Sequence, residues 1–123
     1  MSRTPESPLR RLRVRAQFKK AARGMKVSRR GFVLQAVSVD APDTGIGYTV
    51  TKKTGNAPER SRIKRRLRAA AKACAGTFIP GHDYVLIGRR ESLSEPFGSL
   101  VSGLETSIER IHGSRARRDS SER

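Results

Sequence analysis

The sequence holds one cysteine, no tryptophan and only four phenylalanines and two tyrosines in 123 residues. A lone thiol, Cys74, excludes an internal disulfide and any metal cluster assembled from cysteines, and its place among apolar helical residues assigns it to the core rather than to nucleophilic chemistry. Acid is scarce as well, with 11 Asp and Glu against 27 Lys and Arg for a net charge of +16. Asp40, Asp43, Asp83 and Glu91 fall in separate turns near strand ends without a repeating motif, so the clustered acidic ligands of a metal-dependent phosphodiesterase are missing. No catalytic residue and no metal ligand is therefore assigned to the chain. His82 and His112 have no partner at ligand spacing and are expected at the surface or in loops. No apolar run approaches the roughly 20 residues of a membrane span. The opening MSRTPESPLRRLRVR lacks an apolar signal core, and Glu6 with two prolines argues against a transit peptide, which leaves the cytoplasm as the expected compartment.

What is present is basic charge and a clustered minority of apolar residues. Hydrophobic residues make up 35% of the chain, low for a globular protein, yet they are concentrated in a few segments, which is what one core requires. The length suits a single domain over residues 9–112, with a flexible N-terminal arm at 1–8 and a disordered basic tail at 113–123. A charge of this size repels itself at low salt, so the expected partner is a polyanion.

Along the chain, Leu9, Leu12, Phe18, Ala21 and Ala22 recur mostly at three- to four-residue steps and predict one or two helical turns ending at Gly24. GFVLQAVSVD, residues 31–40, predicts a strand with Phe32, Leu34 and Ala36 on one face, and a short strand is expected before it at residues 25–27. APDTG at 41–45 carries turn chemistry and IGYTVTKK resumes the β pattern, which predicts an antiparallel hairpin between the two strands. A helix is expected from about 57 to 75, a buried strand at DYVLIG, 83–88, and an amphipathic final helix through Phe97, Leu100, Val101, Leu104, Ile108 and Ile111. The predicted fold is α/β (α+β), a small two-layer sandwich of a mixed four-stranded sheet with helices, in the order α-β-β-β-α-β-α.

The helix from 57 to 75 belongs to the most informative stretch, TKKTGNAPERSRIKRRLRAAAKA, which holds nine Lys or Arg and one Glu. Asn56 and Pro58 supply a helix start, and Glu59 suits the positive end of the helix dipole. At 100° per residue, Ile63, Leu67, Ala70 and Cys74 share a narrow arc, so the helix has an anchoring stripe despite its charge. Ser61, Arg65, Arg68 and Lys72 point the opposite way; Arg62 and Arg66 flank the stripe on one side and Lys64 on the other. Exposed helices ordinarily mix signs to gain i,i+4 pairs worth ~0.2–0.5 kcal/mol each, and this one does not. Five Arg to two Lys between 60 and 72 favour phosphate and base recognition over simple charge attraction. Ile63 and Leu67 are too few to bury the helix in a membrane surface. DNA is not an expected partner either, because the helix lies between strands rather than after a helix and tight turn.

The ordered string GYTVTKK, GNA, ERSRIKRRLR resembles the signature of the bacterial ribonuclease P protein component. RAQFKKAARG and RRGFVLQA are similar to that family's first helix and following strand, and DYVLIGR to its strand after the basic helix, so the resemblance spans roughly residues 9–111. It implies an accessory subunit of an endoribonuclease that removes the 5′ leader of precursor tRNA, with catalysis by the RNA subunit and magnesium bound mainly by that RNA. It also implies a left-handed strand-helix-strand crossover. Matched position by position, it assigns RNA binding to Lys52, Lys53, Asn56, Arg60, Ser61, Arg62, Lys64, Arg65, Arg66, Arg68 and Lys72, with Gly55 in the same motif, and the leader cleft to Phe18, Phe32 and Gln35. The partners it implies are the catalytic RNA subunit and precursor tRNA. The chain departs from the family pattern at Ser61, where Asn is usual, and at Ala22, where many members have an aromatic. Composition fits a ribosomal or ribosome-assembly RNA-binding protein equally well; the ordered motif from Tyr48 to Arg68 separates the two readings in favour of ribonuclease P.

Overall fold

The β-patterned segments on either side of APDTG form strands, but they do not pair with each other. In the computed structural model, which describes the backbone of residues 9–121 and the side chains of 9–113, β3 (Phe32–Ser38) and β4 (Thr44–Thr49) are separated by β5 (His82–Gly88). The expected hairpin is thus replaced by β4 running parallel and β3 antiparallel to β5. The cause lies in the connecting backbone: Val39 N–H donates to Gly81 O at 2.9 Å and Gly81 N–H to Asp43 O at 2.9 Å, so the linker is bonded across the entry to β5 rather than to itself. The composition of β5 agrees, since Tyr84, Val85 and Leu86 in succession are buried, as a strand covered on both faces requires.

The true hairpin joins β2 (Met25–Ser28) to β3, in the register Met25 to Ala36 through Ser28 to Val33. A further strand, β1 (Arg10–Arg11), lies parallel to β4 at the far edge, which makes the sheet five-stranded in the order β1-β4-β5-β3-β2 rather than four-stranded. Leu12 N–H continues that pairing by donating to Ile46 O at 2.9 Å. Residues 10–12 are therefore extended, and helix α1 covers only Arg15–Ala22. Its start is fixed by Gln17 Oε1, which accepts the amides of Arg13 and Val14, each at 3.0 Å.

Helix α2 (Ala57–Ala73) connects the adjacent parallel strands β4 and β5, and helix α3 (Phe97–Ser121) follows. Both pack on one face of the sheet. Ile63, Leu67, Ala70, Ala71 and Cys74 of α2 and Leu100, Leu104, Ile108 and Ile111 of α3 meet Phe32, Leu34, Ile46, Tyr84 and Leu86 there. The opposite face carries a smaller cluster of Leu12, Ala21 and Val85 with Phe18, Val37 and Ile87 beneath α1, a partial third layer beyond the expected two. The backbone of α3 continues to Ser121, past residue 113, where the sequence predicts a disordered tail; the predicted arm at 1–8 lies outside the described residues.

His82 and His112 are not isolated surface residues. Their rings meet edge-on with centroids 4.7 Å apart, and Tyr84 Oη lies 2.8 Å from His112 Nε2 while accepting the Ile79 amide at 3.0 Å. The cluster fastens the last part of α3 to the start of β5. Cys74 is buried as expected, and burial pushes its thiol up to about 11, which keeps it protonated at neutral pH.

The fully buried Leu67 anchors α2 to the sheet. Leu67→Ala is expected to lower unfolding free energy by ~2–5 kcal/mol in urea titrations, because a cavity would open between α2 and β5.

Candidate nucleic-acid interface

The start of α2 is built by local chemistry. Asn56 Oδ1 accepts the Glu59 amide at 2.9 Å and Glu59 Oε1 accepts the Asn56 amide at 2.9 Å, a reciprocal cap on the first turn. Glu59 also receives both arms of Arg90, at 3.0 and 2.8 Å. That fork and the Asn56 amide hold its carboxyl down at about 2. Gly55 makes room for the arrangement: a Cβ there would stand 2.6 Å from Glu59 Oε1 and 2.9 Å from Arg90 Nη1. Among residues 51–73, the single carboxylate is thus engaged at the helix start and leaves the rest of the helix surface unneutralised.

The basic side chains divide into two groups. Arg66 is turned inward: its Nε donates to Ser92 O at 2.9 Å and its Nη2 to Glu95 O, so it fixes the 90–95 turn against α2. That corrects the assignment of Arg66 to the free binding surface, which periodicity alone could not distinguish from its neighbours. Arg60 is partly engaged, donating to Gly55 O at 2.8 Å. Lys52, Lys53, Arg62, Lys64, Arg65 and Lys72 make no side-chain hydrogen bond or ion pair with the protein among the described residues. All six except the half-buried Lys64 are exposed, as is Ser61. Arg68 is exposed too, with its guanidinium carbon 5.3 Å from the centroid of the Tyr48 ring.

The second region lies across the sheet, under α1. Phe18 packs on the backbone of β4, where Gly47 permits its close approach: a Cβ at 47 would stand 2.6 Å from the Phe18 ring. Gln35 is buried on the same face of the sheet, paired in register with Val85. Phe32 is not there. It is 2% exposed in the main core beneath α2 and α3, on the face opposite Phe18, because alternation along β3 sends 32, 34 and 36 one way and 33, 35 and 37 the other. Around Phe18 the exposed Arg13, Arg15, Lys19, Lys20 and Arg23 form a cationic rim that the motif did not single out, although their spacing outside the apolar positions of α1 carried the signal.

The carboxylates do not fit a magnesium ion held by the protein. Asp43 and Asp83 both accept from Arg10 at 3.0 Å, Glu59 accepts from Arg90, Glu95 forms an ion pair with Arg30 at 3.4 Å, and among the described residues no three acidic, His or Cys side chains converge.

The family model for Ribonuclease P matches residues 7–112. The chain belongs to the ribonuclease P protein family. It is 41% identical over 106 residues to the ribonuclease P protein component of Ruegeria pomeroyi, covering 82% of this chain and 85% of that one. With the component of Gluconacetobacter diazotrophicus the identity is 46% over 101 residues, covering 80% and 87%. Among solved structures, the RNase P protein from Thermotoga maritima superposes with a TM-score of 0.72 at 26% identity, covering 82% of this chain and 96% of that one. The Staphylococcus aureus RNase P protein gives 0.67 at 26% identity, with 85% and 98% covered. The family resemblance carried by the basic motif and the mixed α+β fold read from the order of helix and strand patterns are thereby established, with five strands in place of four.

The Glu59 carboxyl is held below its ordinary value, so its contribution to stability is present above pH 4.5 and is lost as pH falls toward 2. Thermal melts across that window should show a steeper loss for the native protein than for Arg90→Ala, which no longer holds the carboxylate.

Proposed function

We propose that the chain is the protein subunit of a ribonuclease P holoenzyme, in which it binds the catalytic RNA and the 5′ leader of precursor tRNA. The observation that carries this reading is the outward surface of α2, a core-anchored helix whose exposed cations make no ion pair with the protein among the described residues. Such a surface binds phosphates with release of condensed counterions. Its arginines offer planar forks to phosphate oxygens, and the buried stripe of Ile63, Leu67, Ala70 and Cys74 holds them in place without reorganisation on binding.

The face under α1 takes the single-stranded leader. Phe18 offers a ring for stacking, Gln35 an amide for base or sugar contacts, and the rim from Arg13 to Arg23 a track for the phosphates. Gripping the leader outside the scissile bond uses remote binding energy to position the substrate. The protein supplies no nucleophile or general base; hydrolysis belongs to the RNA subunit with its magnesium, held by RNA phosphates. The cytoplasm, where precursor tRNA is made, is the site of action. Ser61, exposed on α2, gives a hydroxyl where the family pattern has Asn, so its contact with RNA has one O–H donor and lacks an amide's paired donor and acceptor groups.

Three measurements test the reading. Protein added to the cognate RNA subunit in magnesium should raise the efficiency of leader removal at low salt; no change in either substrate affinity or rate would refute the assignment. Arg65→Ala should flatten the salt dependence of RNA binding by about 0.7–0.9 in log–log slope, the value of one lost phosphate contact. Phe18→Leu should narrow the gap in affinity between leader-bearing and mature tRNA by ~1–3 kcal/mol per base unstacked, while leaving binding of mature tRNA unchanged.

A further inference from the structure

Two arginines flank the tyrosine at the outer edge of the sheet. Tyr48, half-buried on β4, turns its ring to the α2 face, where it packs against the main core. Arg68 of α2 lies over that ring, its guanidinium carbon 5.3 Å from the centroid. On the other side runs β1, in which Arg11 is in register with Ile46 and therefore shares the face of Ile46 and Tyr48, whereas Arg10 turns to the opposite face and pairs with Asp43 and Asp83. Arg11 is close enough for its charge to act on the Tyr48 hydroxyl, as Arg68 does. Both arginines are exposed, and neither makes a side-chain hydrogen bond or ion pair with the protein among the described residues.

We propose that Tyr48 is a positioning residue for Arg68, and that Arg68 and Arg11 together form a phosphate-binding step that carries an RNA backbone from α2 over the sheet edge at β1. The inference rests on the RNA-binding reading above and extends it beyond the linear basic motif. A guanidinium lying on an aromatic face keeps its N–H edge turned outward, where two parallel donors match two phosphate oxygens. The ring is a fixed platform because core packing holds it, so Arg68 meets the RNA already oriented. Arg11 adds a cation that lies 57 positions earlier in the chain than Arg68 and joins it only through the β1–β4 pairing. A passive role for Tyr48, filling space under Arg68, makes a different forecast: removal of the ring would then change stability without changing RNA affinity in proportion to Arg68.

The experiment uses the full chain and the cognate RNA subunit, with affinity measured across a salt series and folding followed by thermal melts. Tyr48→Leu should weaken RNA binding about two- to fivefold, the scale of an exposed cation–π contact, and Tyr48→Phe should retain it. In an Arg68→Ala background, Tyr48→Leu should have no further effect. Arg11→Gln should lower the salt slope by about 0.7–0.9 with an unchanged melting temperature. Equal weakening by Tyr48→Leu in both backgrounds overturns the positioning role, and an unchanged slope for Arg11→Gln overturns the phosphate step. Wild-type protein that fails to bind the RNA subunit overturns the functional reading itself, whereas wild-type binding with inert Tyr48 and Arg11 variants overturns this inference alone.

Discussion

The seating of α2 on the sheet is the contact on which the rest of the molecule depends. A helix bearing Arg62 and Arg66, or Lys64 and Arg68, at i,i+4 spacing loses a few tenths of a kcal/mol for each like-charged pair. Burial of Ile63 and Leu67, both with no exposed surface, contributes roughly 1.5–3 kcal/mol per side chain. Burial therefore wins by several-fold, and the exposed Arg62, Arg65 and Arg68 are carried on a helix whose seating does not depend on them, whereas Arg66 helps to fix the 90–95 turn against it. Because the helix also joins two adjacent parallel strands, both of its ends are tied to the sheet, and the outward charges occupy fixed positions.

The few acidic groups reinforce that separation. Glu59 closes the cap of α2 and receives Arg90, Asp43 and Asp83 hold Arg10 at the start of β1, and Glu95 meets Arg30. The exposed pairs among these contribute only ~0–1 kcal/mol each, so their value to the fold is modest, while Asp83 is buried and held by its bond from Arg10. Their larger effect is electrostatic sorting: these four carboxylates sit at strand entries and helix starts, where arginines engage them. A polyanion approaching the outward face of α2 meets cations whose counter-charges are mobile salt ions, which makes association fast at low salt and steeply weakened by added salt.

How much of this the sequence disclosed follows the range of each interaction. The start of α2 was legible because the Asn56–Glu59 cap and Pro58 act within a single turn, and its anchoring stripe because helical periodicity is local. The hairpin was misjudged because the strand that separates β3 from β4 begins at His82, dozens of residues after the turn signal. A two-residue β1 has too little pattern to announce itself. Phe32 and Phe18 looked alike as aromatics near the family cleft; only the side-chain alternation of β3 sends Phe32 into the core beneath α2 and α3, while Phe18 packs from α1 onto the opposite face of the sheet. Arg66 could not be told from Arg62 until the 90–95 turn brought its carbonyls within reach, and His82 could not be joined to His112 before α3 was laid back along β5.

The two proposed RNA surfaces share one central strand. Along β5, Tyr84 and Leu86 support the α2 side while Val85 and Ile87 support Phe18 and α1, so alternate side chains of the same backbone underlie both faces. A close-packed sheet with side chains interdigitated on both faces is rigid on this scale. Among the described residues, the surface that would dock on a catalytic RNA and the surface that would hold a leader are joined directly through β5. The offset between the two bound RNAs is then a property of the sheet itself. In such a subunit, selectivity for leader-bearing substrate arises from geometry: once α2 is seated, the Phe18 face stands at one distance and one angle from the docking site, and a substrate gains its contacts only if its unpaired 5′ segment reaches that place.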